Sequence, residues 1–404
     1  MNGIPLDGRL ELLLVWLIQF TESQNISSEI MPLALNGHYI TWPSVKTQEK
    51  FINDKRYIPK NIIYTRFQLC SDRVFMAAPR YKLGVPFTLG NMDLNNMNKC
   101  YNYVKPFPCM SKQDSGTGTC VSGSLINAID LVMGQDGILW VLDIGISDTL
   151  NDHPSRDGDP KIVGFDATTG KIKHMISLRT LACRAKSRLQ YLVVEYVKEA
   201  TTVLYVGDGG TRSIIVWYVQ SNEGYRIKLP HSTVQGCTDG PQEDVFYIAL
   251  VEHETCNYIY FTYLSSQDIF RSKTKDLRKR MNPKCIVNMG KKPCKMVFLG
   301  VGYGSILYFR IKGQNHLYGW DTKQSFLEEN FMIARKSKDC RTITHVDVDN
   351  DGVLWVLESN IQDFITGHVG CFGPSIMLTP VFETPTPVSC DFDSNTDETL
   401  TLLR

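Results

Sequence analysis

Charge of one sign is the first thing this sequence lacks: 43 Lys and Arg stand against 42 Asp and Glu, a formal net charge of +1. Without a long-range field of one sign nothing draws in a polyanion, so nucleic acid is not an expected partner. Apolar runs long enough to cross a bilayer are missing too. The N-terminal run from Leu10 to Phe20 is interrupted by Glu11 and Gln19 and falls short of the ~20 apolar residues a spanning helix needs. Signatures of metal and nucleophile chemistry are equally scarce. The eight histidines show no H-x-x-x-H or C-x-x-H spacing, the cysteines form no C-x2-C knuckle, and no G-x-S-x-G elbow occurs, so neither a zinc hydrolase nor an α/β-hydrolase serine is expected. The one glycine-rich stretch, "GVGYG" at 300–304, joins "KMVFL" to "SILYFRI" with no helix after it to supply a phosphate-binding N-terminus. It reads as a strand connection, and the expected cofactor complement is none.

What is present points outside the cell. Arg9, the apolar run behind it, and Thr21 and Ser23 as small residues before a cut read as a secretory signal over 1–23. The mature chain is therefore expected to be secreted and extracellular, and the Asn25-Ile26-Ser27 sequon is a glycosylation candidate at its start. Twelve cysteines, an even number in a secreted chain, predict disulfides whose pairing the sequence does not reveal. After Pro387 the chain turns acidic and turn-rich, so 381–404 is expected to be a disordered tail, leaving 24–380 as a single domain.

That domain repeats itself. "DGILWVLDIG" at 136–145 returns as "DGVLWVLESN" at 351–360, and similar β-branched and aromatic phrases lie between: "DRVFMAAPR" from 72, "TVLYVGDGG" from 202, "NYIYFTYLS" from 257 and "SILYFRIKG" from 305. Their starts fall 47 to 65 residues apart. Most are followed by a second β-rich run with hairpin turns such as Asp166–Gly170 and Ser221–Gly224. Six such units predict an all-β protein, a six-bladed β-propeller with four-stranded antiparallel blades. A strand covered on both faces by neighbouring blades is written as a continuous apolar run, which places Trp140 and Trp355 between blades.

The polar residues where these strands end are the candidates for an axial channel: Asp143, Asp208, Glu358 and Asn360. Each either holds loop backbone or faces a ligand. The pattern Asp347-x-Asp349-x-Asp351-Gly352-x5-Glu358 satisfies a calcium-loop expression, but strand-forming sequence on both sides favours a hairpin turn at Asn350-Asp351-Gly352. A calcium site on Asp347, Asp349 and Asp351 is the weaker alternative to no metal. The basic run "RSKTKDLRKR" at 271–280 reads as a solvated outer strand or loop.

Several phrases carry a resemblance. "ITWPSVKTQEKFINDKRYIPKNIIYTRFQLCSDRVFMAAPRYKLGVPFTL" (40–89), "DGILWVLDIG", "PKIVGFDATTGK" (160–171), "DGPQEDVFYIALVEHETCNYIYFTYLSS" (239–266) and "DGVLWVLESNIQDF" (351–364) are similar, in order and spacing, to the insect Yellow and major royal jelly protein family. "GVPFTLG", "YFTYLSS" and "VLESNIQDFITGHVGCFGPS" most resemble its eggshell-associated Yellow-g branch. The resemblance implies a six-bladed propeller. It implies a range of roles as well: pigmentation, nutrition, binding of biogenic amines, and dopachrome conversion in melanin formation. Where the family motif usually reads Leu-Trp-Val-Leu-Ser-Asn-Arg, this chain has Glu358-Ser359-Asn360 at the end. Gln135 and Asp159 stand where the family commonly has cysteines, which implies a rewired set of bridges.

Three functions follow as expectations. The first is a secreted protein of assembly, hardening or pigmentation of an extracellular covering such as the vitelline membrane or chorion, partnered by eggshell or other matrix proteins. The second is a dopachrome-converting isomerase using Asp143, Asp208 or Glu358 as acid or base. The third is a binder of a small aromatic amine held by an acidic group and aromatic rings. The non-enzymatic reading leads, with a small catechol or amine in the central channel as the expected ligand of the other two.

Overall fold

All six repeated apolar phrases form the second strand of a four-stranded antiparallel sheet, and the sheets follow one another in a ring. The computed structural model describes residues 31–382 and 386–387, apart from segments at 97–100, 114–122, 184, 198–200, 235–243, 281–284, 303 and 338. The expected signal segment 1–23, Asn25 and most of 381–404 lie outside the described residues.

The first blade contains Arg66–Cys70, Arg73–Ala77, Leu89–Asp93 and Lys105–Pro106; the second, Ala128–Met133, Ile138–Asp143, Lys161–Asp166 and Ile172–Ser177. The third contains Leu189–Val197, Thr201–Asp208, Ser213–Tyr218 and Glu223–Lys228; the fourth, Phe246–Glu252, Asn257–Tyr263, Asp268–Lys273 and Val287–Lys291. Met296–Val301, Ile306–Ile311, Leu317–Asp321 and Phe331–Arg335 make the fifth, whose outer edge is extended by Thr386–Pro387, within the segment expected as a tail. The sixth is built from both ends of the chain. Thr342–Val348, Leu354–Ser359 and Ile376–Val381 are completed by Leu33–Leu35, paired antiparallel with Ile376–Leu378. Leu33 and Leu35 are buried, so this short strand closes the ring through apolar contact as well as backbone bonds.

Each apolar phrase is continuous because blades cover both of its faces. Trp140 is fully buried in the core between the second and third blades, and Trp355 in the core between the sixth and first. An indole of roughly 200 Å² removed from water contributes about 5 kcal/mol of transfer free energy, which is why the ring is held by such residues.

A second set of contacts ties the inner strands together. Side-chain oxygens of one blade accept backbone amides of the next: Gln68 from Met133 (2.6 Å), Asp130 from Leu192 (2.7 Å), Gln190 from Phe246 (2.8 Å) and, across the closure, Asp347 from Leu69 (2.8 Å). Register shifts fall at these same strands, at Ala128/Asp130, Leu189/Tyr191 and Ile343/His345. A bulge leaves one residue unpaired and turns its side chain out of the ladder. The three residues so freed, Ile129, Gln190 and Thr344, all line the central cavity.

The basic run at 271–280, expected as a solvated outer strand or loop, is exposed at Lys273, Lys275, Lys279 and Arg280 but not at Arg278. It ends the third strand of the fourth blade and forms the short helix Thr274–Leu277. Arg278 from it pairs with Glu195 of the third blade, which also accepts Thr274 Oγ1 (2.7 Å) and Tyr205 Oη (2.6 Å). Glu195 is buried, so the cation is required as its counter-charge.

Among the described residues no disulfide of the expected framework is formed. Cys100, Cys120, Cys237 and Cys390 lie outside the described residues, and the other eight are free thiols. They are dispersed over separate blades and loops, and among the described residues the ring is closed by strand pairing, with no covalent link.

Candidate functional site

The inner strands enclose a cavity of about 1340 Å³. At one end it is bounded by the hairpin Ile146–Ser147/Ser155–Arg156 and by the helix Ile361–Thr366, from which Ile361, Gln362 and Ile365 face inward. Asn360 starts that helix and Gly367, at φ 79°, ends it in the left-handed conformation that glycine adopts without strain.

The walls are cationic. Eight Lys and Arg side chains line the cavity against one carboxylate, Asp159, which itself faces Arg179 at 3.5 Å. Two of these cations sit deepest and hang from consecutive carbonyls of the bulged inner strand of the sixth blade. Arg310 donates Nε–H to Ile343 O (2.9 Å), and Arg66 donates Nη1–H to Thr344 O (2.7 Å). Arg66 also stands 3.5 Å from Asp130 and lies over the Tyr191 ring, 4.8 Å from its centroid. Tyr191 in turn packs on Tyr247 with centroids 5.2 Å apart.

Burial dominates the electrostatics of this floor. Asp130 is pushed up to about 6 by burial, against the pull of Arg66 and two backbone amides. Desolvation lowers Arg310 below the ordinary arginine value, opposed only by the phenols of Tyr247 and Tyr191. His345, behind the floor, is driven well below the usual imidazole range by burial and by Arg66, and so is neutral. Tyr191 is raised to about 12 by burial. The floor therefore combines fixed positive charge with neutral hydroxyls and aromatic faces, a combination that suits a planar anion.

The four residues singled out from the sequence lie at the strand ends but not among the residues lining this cavity. Asp143 is fully buried, accepts the amides of Ile126, Asn127 and Gly145 at 2.8 to 2.9 Å, and pairs with Lys161 at 2.7 Å. Asp208 does the same one blade on, accepting Arg188 N (2.8 Å), Ser187 Oγ (2.6 Å) and Thr211 Oγ1 (2.6 Å). Glu358 pairs with Arg335 at 3.0 Å. Asn360 accepts Ser375 N (2.8 Å) and donates to Asp363 (3.0 Å). Asp143, Asp208 and Asn360 thus hold loop backbone, and Glu358 joins the sixth blade to Arg335 of the fifth.

The calcium alternative finds its three carboxylates apart in role. Asp347 accepts Leu69 N across the blade junction, and Asp349 accepts the amides of Asp351 and Val353 and the indole N–H of Trp355. Strands flank the turn on both sides, and Gly352 takes φ 87°. Among the described residues no three His, Cys, Asp or Glu side chains gather as a metal site.

Sequence reasoning passed over Arg66 and Arg310. The available signal was a cation inside an otherwise apolar strand: "YTRFQLC" and "SILYFRIKG" each carry one. Such a residue needs a polar neighbour from elsewhere in the fold.

Comparison with known proteins agrees with this architecture. Honeybee (Apis mellifera) major royal jelly protein 7 is 22% identical over 337 residues, covering 74% of this chain and 72% of its own. The dopaminechrome tautomerase of Drosophila melanogaster is 20% identical over 386 residues, covering 86% of this chain and 81% of its own. Among solved structures, an α-L-arabinofuranosidase from Fusarium graminearum matches with a TM-score of 0.50 at 9% identity, over 88% of this chain and 99% of that one, a likeness of fold alone. The family model described as major royal jelly protein matches residues 126–371, which is more than half of the sequence and covers the second to fifth blades and two strands of the sixth, and the chain accordingly belongs to the major royal jelly protein family.

Proposed function

We propose that this protein is a secreted propeller acting in the hardening or pigmentation of an extracellular covering, by taking a small catechol-derived compound into its axial channel. One observation carries the reading: a cavity of about 1340 Å³ runs into the ring and ends on a floor of arginine guanidiniums and tyrosine rings. A concave site with a few convergent polar groups is the usual form of a small-molecule site. The dopaminechrome tautomerase among its relatives supports the chemistry, and the royal jelly protein supports secretion. The phrases resembling the Yellow-g branch favour the insect eggshell as the covering. An amine would find one carboxylate in the cavity, already opposed by Arg179, which weighs against the amine-binding reading.

The test is direct. Purified protein is expected to accelerate the loss of dopachrome or dopaminechrome absorbance, or to bind the compound without turnover; neither effect at micromolar protein would end the reading. Localisation of the protein to follicle-cell secretions would support the eggshell placement, and its detection in another secretory tissue alone would refute that placement.

A second reading is favoured by exposed thiols. Cys109, Cys183, Cys340 and Cys371 are exposed free cysteines, so covalent incorporation into an insoluble matrix is chemically accessible. Recovery only after reduction is expected if this occurs, and full extraction without reductant counts against it.

A further inference from the structure

We infer that Arg310 and Arg66, together with the Tyr247 hydroxyl, form a recognition site for the carboxylate of a small aromatic acid at the floor of the channel. The inference rests on the reading of the channel as a small-molecule site and adds the ligand's charge and the residues that select it.

Three observations converge. Arg310 has one hydrogen bond, from Nε to Ile343 O, and among the described residues no carboxylate pairs with it and its Nη groups have no partner. A half-buried guanidinium at a cavity wall with no paired carboxylate has donors to offer an anion that enters the cavity. Tyr247 is only 4% exposed, lines the cavity, and makes no hydrogen bond to any described residue through its hydroxyl. The open space beside it is the cavity, so the hydroxyl is placed to donate to a ligand there. Arg66 is the third element. Its charge is only partly met by Asp130 at 3.5 Å, and its plane is fixed by the Thr344 carbonyl on one side and the Tyr191 ring on the other.

The geometry decides the ligand class. Two guanidiniums suspended from adjacent carbonyls offer several N–H donors to one anion, and a carboxylate can accept them as paired, charge-assisted bonds. The Tyr191 and Tyr247 rings beside them give an apolar, π-rich wall for a planar ring. The surrounding excess of cations over the single Asp159 raises the local concentration of anions and opposes an ammonium. A neutral ring without the acid would fill the cavity and leave Arg310 and Tyr247 unmatched.

Calorimetry with three probes of like shape tests this: indole-2-carboxylate, indole and tryptamine. The acid is expected to bind at least tenfold more tightly than indole, with tryptamine weakest. Arg310→Gln is expected to bring the acid down to the level of indole while leaving indole unchanged, and Arg310→Lys to restore part of the preference. Equal binding of acid and indole would overturn the inference and leave the channel reading standing. Tighter binding of tryptamine would overturn it in favour of an amine site. Binding of none would remove both. Should Arg310→Gln fail to fold, as its melting curve would show, the ranking of the three probes on the unaltered protein still decides.

Discussion

Tyr196 of the third blade reaches the indole nitrogen of Trp140 in the second, with Nε1 donating to its hydroxyl at 3.3 Å while that hydroxyl donates to Asp136 at 2.7 Å. In the other copy of the repeated phrase, Trp355 donates directly to Asp349 at 2.8 Å. The difference lies two positions before each Asp-Gly: Asp349 in one copy, Gly134 in the other. A Cβ at Gly134 would come 1.9 Å from the Tyr196 hydroxyl oxygen, so glycine admits the neighbouring blade's tyrosine where an aspartate would do its work. Tyr196→Phe is therefore expected to lower stability by about 1–2 kcal/mol, the range for unpairing a buried hydrogen-bonded group, read as a lower denaturation midpoint with unchanged slope.

The ion pair between Glu195 and Arg278 joins the third and fourth blades where the sequence suggested only a solvated basic run. Burial pushes the Glu195 carboxyl up, but hydrogen bonds from Arg278, Tyr205 and Thr274 outweigh it and hold the group below its ordinary value. Arg278→Met is expected to cost about 3–5 kcal/mol, because it strands a buried carboxylate. The double variant Arg278→Met, Glu195→Gln is expected to recover much of that loss in a thermal melt.

Asp347 behaves in the opposite sense. Its carboxyl is pushed up to about 7, first by burial and further by Asp349, although the amides of Leu69 and Val348 pull it down. The folded protein thus keeps a proton that the unfolded chain releases near 3.8. Stability contributed by this group is present at acid pH and is lost as pH rises from about 4 through about 7. Asp347→Asn keeps an acceptor for the Leu69 amide and is expected to flatten that slope, melting above the parent at pH 8. A variant melting below the parent at pH 8 would mean that an ionised Asp347 stabilises the closure.

Ring closure depends on three residues from the N-terminal side. Leu35 is 3% exposed and pairs opposite Ile376 in the sixth blade. Leu35→Ala is expected to cost about 2–4 kcal/mol, as for other large-to-small changes in a packed core. Because the strand is the seam of the ring, hydrogen exchange in Ile376–Val381 should rise more than in the third blade. Uniform loss of protection would show that the ring opens as one unit.

The repeat was legible because it is written in apolar side chains. Phrases such as "GILWVLDIG" and "SILYFRIKG" state by composition that both faces are covered, and each did become the second strand of a blade. The pairing of Leu33–Leu35 with the far end of the chain was not legible, since three residues carry no period and their partner is more than 300 positions away. The polar belt was hidden for a related reason. Gln68, Asp130, Gln190 and Asp347 are ordinary residues until bulges and the neighbouring blade present them with an amide.

Composition and periodicity by themselves determined that this chain forms six antiparallel sheets covering one another, because burial on two faces leaves a mark at every position of a strand. The tertiary structure alone decided the character of the channel. A sequence with 43 cations against 42 carboxylates shows almost no bias when summed, yet the fold turns Asp143, Asp208 and Glu358 toward backbone amides and basic partners and turns Arg66 and Arg310 toward the cavity. Charge is conserved along the chain; its direction is set only when strands from distant segments meet around an axis.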